Sequence, residues 1–159
     1  MKLTDKLIDL GITPANGDQF EPLSETAVDQ FERHLGKSLP DDYRFFLLTY
    51  GESDFEVYAV FQTSGGGVAP GTFFGQNVED VCVAYDERLP KGVVPINDDG
   101  MGNLTCISVR EDTYGIVYYQ SHTVGTGSGE SDIDMAKFGT LVKLAPDFTS
   151  FIQGLKPQD

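Results

Sequence analysis

The order of the sequence patterns predicts an α+β domain, with a mostly antiparallel central sheet flanked by N-terminal helices and a closing C-terminal helix. Apolar residues recur at helical spacing through the first third of the chain. Alternating residues broken by glycine-rich turns then dominate the middle. A last apolar pattern of helical period follows at 148–155. With 159 residues and no long linker, the chain is predicted to be one domain over 1–159.

The N-terminal third contains three candidate helices. Residues 2–10 predict a short helix that Gly11 ends. Ser24 is a suitable N-cap for the second helix and Gly36 a suitable C-cap, while Pro40 suits the first turn of the third. The apolar positions of the second and third helices are Ala27, Val28, Phe31 and Leu35, and Tyr43, Phe45, Phe46, Leu47, Leu48 and Tyr50. The third helix is therefore expected to be largely buried.

The middle of the chain changes to the period of a β-strand. Alternation from Phe55 to Phe61 predicts a strand, the glycine-rich run 64–67 a flexible turn, and 72–75 a short extended piece. Asn77 is a candidate cap for a further helix that ends before Pro90.

A β-hairpin is predicted next, and the rest of the chain is organised around it. A buried run at 93–96 leads into the polar loop 97–102, and an alternating strand follows from Leu104. A third strand is expected at 116–120 and a last one at 141–144, and Pro146 is expected to open the terminal helix. The segment 122–132 is rich in Gly, Ser and Thr, which predicts a mobile loop.

The net charge of −14, from 11 basic and 25 acidic residues, limits the classes of partner. Such a surface repels phosphate backbones and anionic membranes, so nucleic acid and membrane are not expected partners. It favours rapid association with a basic protein. Solubility and avoidance of self-association are an equally good interpretation of the charge.

The cysteines and the N-terminus predict a cytoplasmic protein. Cys82 and Cys106 lie in apolar segments outside any CxxC pair and are expected to be small buried apolar residues. No apolar run approaches the roughly 20 residues that span a bilayer. The start, MKLTDKLIDLG, is interrupted by charges and does not resemble a signal peptide.

Few residues suit catalysis or metal binding, so we expect no enzyme activity, no metal and no cofactor. His34 is expected to cap helix carbonyls, and His122 has no partner at metal-ligand spacing. The adjacent Asp98 and Asp99 leave three interpretations open, namely turn capping, partner contact, and metal binding or catalysis. The glycine runs lack the context of a phosphate-binding loop.

Several short motifs recur in an order that resembles a known family. They are Phe31-Glu32, Leu35-Gly36, Leu39-Pro40, Asp42-Tyr43, Phe46-Leu47 and Tyr50-Gly51, then Leu89-Pro90, Val94-Pro95-Ile96 and Gly102-Asn103, and finally 115–119, Phe148 and Phe151. From about 22 to 155 the chain resembles the SUKH superfamily, the Smi/Knr-like domain. One departure is Tyr50-Gly51-Glu52, where the family pattern has Asn before Gly-Gly.

The resemblance implies a non-enzymatic α+β domain that binds proteins. Bacterial members resemble immunity proteins that block a cognate toxin, often a nuclease, in polymorphic or contact-dependent toxin systems. Since a nuclease has a basic cleft, an acidic domain suits it. The candidate contact residues are Asn97, Asp98, Asp99, Asn103, Glu32 and Tyr43.

Two other classes of function remain open, and so does the oligomeric state. Fungal members of the family are regulators of cell-wall synthesis and signalling, which implies an adaptor or scaffold. Long disordered tails would be the sequence feature of an adaptor, and this chain has almost none. An enzyme or metal protein built on Asp98 and Asp99 is the third class.

Overall fold

The computed structural model describes residues 2–12, 21–122 and 141–158. Within them, helices and two antiparallel sheets form an α+β fold, which confirms the predicted fold class. The helices are α1 (Leu3–Asp9), α2 (Glu25–Leu35), α3 (Asp41–Thr49), α4 (Val78–Ala84) and α5 (Phe148–Gly154). The strands are β1 (Ala59–Thr63), β2 (Gly66–Val68), β3 (Thr72–Phe73), β4 (Val93–Asp98), β5 (Leu104–Ser108), β6 (Val117–Gln120), β7 (Leu141–Ala145) and β8 (Leu155–Pro157). Apart from His122, the predicted mobile loop lies outside the described residues.

The larger sheet is a five-stranded antiparallel meander in the order β3-β4-β5-β6-β7. The predicted hairpin is confirmed: β4 pairs with β5, with a register shift between Pro95 and Asn97. Every residue of β5 is buried, so neither face of this central strand is open to solvent. The hairpin therefore runs through the core and holds its polar loop at one end of the sheet.

The smaller sheet, in the order β2-β1-β8, differs from the sequence prediction. Its central strand begins at Ala59 rather than at Phe55. The glycine-rich run expected to be only a turn continues into β2, and Leu155, expected on the terminal helix, begins β8. These assignments were wrong because both edge strands depend on pairing with β1, which lies far from β8 in sequence.

The predicted caps hold for α2 and differ for α4. The Ser24 Oγ accepts the backbone N–H of Ala27 at 3.1 Å, and Gly36 ends the helix in the left-handed conformation at φ 70°. Asn77 precedes α4, but its side chain accepts the N–H of Gly75 at 3.2 Å and caps no helical amide.

The terminal helix is capped by two aspartates. Asp147, not Pro146, is its N-cap, and its carboxylate accepts the N–H of Ser150 at 2.6 Å. From the first turn of α3, the Asp42 Oδ2 accepts both the N–H and the hydroxyl of Thr149 at 2.9 Å. Asp42 therefore joins α3 to α5 by satisfying a helix-terminal amide.

Aromatic side chains form the centre of the core. The ring of Phe46 on α3 lies 4.9 Å from that of Phe73 on β3 and 5.2 Å from that of Phe148 on α5, measured between centroids. Such offset and tilted pairs add to the burial of apolar area. Phe45, expected in the buried stripe, is instead 42% exposed.

Candidate protein-interaction site

The polar loop of the hairpin is folded by its own carboxylates. The Asp98 Oδ1 accepts the N–H of Gly100 at 2.7 Å. The Asp99 Oδ1 accepts the N–H of Met101 at 2.8 Å and that of Asn103 at 3.1 Å, and its Oδ2 accepts the Asn103 amide at 2.7 Å. Both aspartates therefore do the turn capping that was one of the three interpretations. Because both remain partly exposed, they also carry negative charge at the surface.

Asn103 and His122 connect this loop to the end of β6. The Asn103 Oδ1 accepts the backbone N–H of His122 at 2.9 Å and lies 2.8 Å from its Nδ1. Since the Asn103 amide nitrogen donates to Asp99, its oxygen is the acceptor, and the His122 Nδ1 is the donor. The loop is thus held to a neighbouring strand and is not a free turn.

Asn97 and Tyr43 are corrections to the predicted contact residues, because both are buried. Asn97 is 1% exposed, and its side-chain amide pairs with both backbone groups of Gly71 at 2.7 and 3.0 Å. Tyr43 is 0% exposed, and its hydroxyl has no hydrogen-bond partner among the described residues. Burial raises its pKa well above the ordinary value, with a smaller contribution from Cys82. Neither side chain is exposed enough to contact a partner.

Glu32 also has a structural role, and it lies away from the loop. Its carboxylate accepts the N–H of Leu39 at 2.7 Å and lies 3.5 Å from the Arg44 Nε, which braces the connection between α2 and α3. Burial and the charge of Asp41 are the larger causes of the raised pKa of the Tyr114 phenol, and Glu32 is close enough to raise that pKa further. Tyr114 belongs to the turn after β5, at the opposite end of that strand from the loop. The structure therefore does not bring Glu32 to Asp98 and Asp99.

A different set of acids lies beside the loop, which we call the acidic face. It consists of Glu21, Glu52, Asp54, Glu56, Asp98 and Asp99. Thr72 of β3 connects two of its parts, because its hydroxyl donates to Asp54 and its Cα is in register with that of Asp98. Gly71 packs so closely that a Cβ there would lie 2.4 Å from the Asp98 carbonyl oxygen. The segment 52–56 therefore lies along the same edge of the sheet as the loop.

The other end of the acidic face is fixed by close backbone packing. A Cβ on Gly75 would lie 2.2 Å from the amide nitrogen of Glu52, and one on Gly51 would lie 2.8 Å from the carbonyl oxygen of Glu21. The Gln76 Nε2 is 3.5 Å from the Glu21 carboxylate. These contacts hold Glu21 and Glu52 at the same edge as β3.

The carboxylates of the acidic face are not neutralised within the described residues. The ion pairs found there join Arg44 to Asp29 and Glu32, and Arg110 to Asp112, while the His34 Nδ1 lies 3.8 Å from the Glu79 carboxylate. None of these carboxylates belongs to the acidic face. Among the described residues no ion pair offsets these charges, so the face presents negative charge to an approaching molecule. A nearby cation is Arg88, whose guanidinium donates to the Gly102 carbonyl oxygen of the loop at 2.6 Å.

A shallow groove of about 440 Å³ opens in the acidic face, lined by residues 54–59 and 70–72. Tyr58 stands at its side with 66% of its surface exposed. A phenol ring beside carboxylates suits a cationic side chain, because the ring face and the carboxylates both attract positive charge. Sequence reasoning missed this segment, although the alternating acids Glu52, Asp54 and Glu56 were a readable signal.

The described residues contain little that suggests catalysis. No group of three or more His, Cys, Asp or Glu side chains among them could hold a metal ion. Burial raises the pKa of the Cys82 thiol to about 12, so its reactive thiolate is scarce at neutral pH. None of the helices in the described ranges is long and apolar enough to cross a bilayer.

Comparison with known proteins identifies the family to which the chain belongs. The model of the SMI1 / KNR4 family (SUKH-1) matches residues 22–154, which is most of the chain, and the chain belongs to this family. A solved structure described as a protein from Pseudomonas syringae pv. tomato is 24% identical, with a TM-score of 0.49, and the match covers 80% of this chain and 89% of that one. No curated protein matches. The resemblance predicted from the motifs is thus confirmed.

Proposed function

We propose that this chain is a non-catalytic immunity protein that binds and neutralises a basic toxin, such as a nuclease, in the cytoplasm. The observation that carries the proposal is the acidic face, whose carboxylates have no cationic partner among the described residues. Family membership supports a protein-binding domain. A nuclease cleft must attract a polyanion, so it also attracts such a face.

The hydrogen bonds of the loop decide which acidic residues should be replaced to test the contact. Asp99 accepts three hydrogen bonds within its loop, so replacing it would disturb the loop as well as the charge. Glu56 is exposed, and Asp98 accepts a single exposed amide. Glu56→Lys/Asp98→Lys is therefore the sharper test of the acidic face.

The first experiment is capture of the partner from native cell extract by the immobilised protein, at low and at high salt. A basic polypeptide is expected at low salt and less of it at high salt, because salt screens exposed charges. With that polypeptide, Glu56→Lys/Asp98→Lys should lower the association rate roughly tenfold at low salt. Stopped-flow fluorescence measures this rate.

A matched control carries the same charge change elsewhere. Glu87→Lys/Glu111→Lys alters two exposed acids outside the acidic face and should leave the association rate within about threefold of the parent. Equal rates for the two double variants would contradict the acidic face as the contact. Capture of a signalling or wall-synthesis protein instead of a toxin would favour the adaptor function.

A further inference from the structure

The groove in the acidic face combines negative charge with an exposed aromatic ring. Its lining, residues 54–59 and 70–72, contains two carboxylates and no basic residue. Exposure alternates along its first segment, with Asp54, Glu56 and Tyr58 open to solvent and Phe55 and Val57 half-buried against the core. The charge of this lining therefore selects a cationic occupant, and the ring adds a flat apolar surface beside the carboxylates.

The two carboxylates of the groove are held in position and keep acceptor oxygens free. The Thr72 hydroxyl donates to the Asp54 Oδ1, and the Asp54 Oδ2 accepts no hydrogen bond from the described residues. Close packing fixes the backbone of Glu56, because a Cβ on Gly11 would collide with the Glu56 Cβ. Neither carboxylate makes an ion pair within the described ranges. The acceptors are thus preorganised for a donor from outside the chain.

The phenol ring of Tyr58 is also supported from below and open above. The N–H of Gln158 donates to the Tyr58 carbonyl oxygen at 2.8 Å, which fixes the backbone of Tyr58 to the chain after β8. Tyr58 is 66% exposed, and no other ring and no cation stacks on it among the described residues. Lys156, on the neighbouring strand β8, does not belong to the lining of the groove. The face of the ring is therefore available to a cation of another molecule.

This arrangement suits a guanidinium better than an ammonium. A guanidinium is planar, so it can stack on a phenol ring while the N–H groups at its edge donate to carboxylates on either side. An ammonium is compact and strongly hydrated, and it has no plane to stack. The apolar stem of an arginine would also pack against half-buried Val57 and Pro70 of the lining.

We propose that the groove holds one arginine side chain of the bound protein, with its guanidinium stacked on Tyr58 and hydrogen-bonded to Asp54 and Glu56. The proposal rests on the function proposed above for the source of the arginine, because a toxin surface that binds polyanions is rich in basic side chains. The acidic face as a whole attracts any positive surface, whereas this groove recognises one kind of side chain. Such a short-range contact should mainly slow the dissociation of the complex.

The groove is tested first with blocked tripeptides added to ¹⁵N-labelled protein. The probes are acetyl-Gly-Arg-Gly-amide, its lysine counterpart of equal charge, and its uncharged citrulline counterpart. Backbone amide signals of residues 54–58 and 71–72 should shift saturably with the arginine peptide. The lysine peptide should bind at least about threefold more weakly, and the citrulline peptide should not saturate. Equal affinities of the arginine and lysine peptides would overturn the proposal.

The role of the ring is tested by Tyr58→Ala, which should weaken binding of the arginine peptide about threefold or more. Tyr114→Ala is the matched control, because Tyr114 is 47% exposed and lies near the charge of Asp41 but outside the groove. It should leave the affinity unchanged. Equal effects of the two variants, or peptide shifts centred on Tyr114, would overturn the proposal.

The role of the carboxylates is tested by Asp54→Asn/Glu56→Gln, which should weaken the arginine peptide about tenfold. Asparagine keeps an acceptor oxygen for Thr72, so the charge is removed with little change to the groove. Glu87→Gln/Glu111→Gln removes the same charge from exposed acids outside the groove and should change the affinity by less than about twofold. Equal losses for the two double variants would show attraction by net charge alone and would overturn the proposal.

Kinetics of the complex separate this proposal from the immunity function. With the captured polypeptide, Tyr58→Ala should raise the dissociation rate about threefold or more, whereas Glu56→Lys/Asp98→Lys lowers the association rate. If the charge variant slows association but Tyr58→Ala leaves dissociation unchanged, the arginine groove is overturned and the immunity function stands. If the arginine peptide binds the groove but no basic polypeptide is captured, the immunity function alone is contradicted.

Discussion

Single polar residues explain most of the local order around the hairpin loop. Asp99 alone accepts three hydrogen bonds within the loop, and Asn103 joins the loop to His122 by accepting the backbone N–H of that residue. The Asn97 side chain bonds both backbone groups of the partly buried Gly71. The loop is consequently preorganised, which lowers the entropic cost of any contact it makes.

The two cysteines predict how stability depends on alkaline pH. Burial raises the pKa of Cys82 to about 12, and it also raises the pKa of Cys106 well above its usual range, whereas a thiol's ordinary value is 9.0. Because the folded-state pKa is the higher one, their stabilising effect is complete below pH 9 and is lost as the pH rises from there toward 12. The free energy of unfolding should fall by up to about 1.4 kcal/mol per pH unit for each thiol above pH 9.

Urea unfolding at a series of pH values measures this slope. Cys82→Ala/Cys106→Ala should be less stable at neutral pH through lost packing, but its decline above pH 9 should be shallower. Parallel declines for the parent and the variant would show that other groups, such as the buried Tyr43, account for the alkaline sensitivity.

At the scale of elements, α3 and α5 are joined by a polar contact inside an aromatic interface. Phe46 and Phe148 bring the helices together, and Asp42 sets their relative position through Thr149. The carboxylate also lies near the N-terminal end of both helices, where a negative charge is favoured by the helix dipole. The register of the closing helix therefore depends on this single side chain as well as on apolar packing.

Asp42→Ala should lower the free energy of unfolding by about 1–3 kcal/mol, because it leaves the two Thr149 donors without their acceptor. The control is Asp41→Ala, which removes a carboxylate from the same helical turn but leaves Thr149 bonded. Urea denaturation should show a clear loss for Asp42→Ala and a loss below about 1 kcal/mol for Asp41→Ala. Equal losses would mean that Asp42 acts only on the dipole of α3.

The C-terminal strand β8 forms because it can pair with β1. A Cβ on Gly154 would lie 2.5 Å from the Phe61 ring, so glycine lets the chain leave α5 and pass close to β1. Leu155 then pairs with Phe61, and the N–H of Gln158 donates to the Tyr58 carbonyl oxygen at 2.8 Å. Three residues with a proline carry no strand signal of their own.

At the scale of the whole molecule, the charge is the dominant property. A net charge of −14 with few ion pairs among the described residues means that like charges repel one another across the folded surface. Self-repulsion disfavours the compact state more than the expanded one. The strongly acidic surface therefore costs the folded protein some stability.

Added salt should therefore stabilise the folded protein. Raising NaCl from about 20 to about 500 mM shortens the screening length several-fold and should raise the free energy of unfolding by about 1 kcal/mol. Thermal unfolding followed by circular dichroism measures the shift. Asp9→Asn/Glu87→Gln/Glu111→Gln, which removes three exposed charges, should show a smaller salt effect, and a midpoint that falls with salt would contradict the repulsion argument.

Features that depend on neighbouring residues could be predicted from the sequence. The cap at Ser24, the left-handed Gly36 and the hairpin of β4 and β5 all follow from local preferences of a few adjacent residues. The family motifs extended this prediction to most of the fold, because the family that they indicated is the one whose model matches residues 22–154. The net charge also follows from the sequence alone, and it is the reason that the partner we propose is a basic protein.

The position of the candidate site could not be predicted in this way. Tyr43 and Asn97 look like surface contacts in sequence, but packing from distant elements buries both. Glu52, Asp54 and Glu56 become part of one surface with Asp98 only because β3 pairs with β4 and carries Thr72 between them. The sequence by itself therefore determined most of the elements, apart from the strands β2 and β8, and the charge. The tertiary structure decided which charges are exposed together, because exposure depends on contacts between residues that are far apart along the chain.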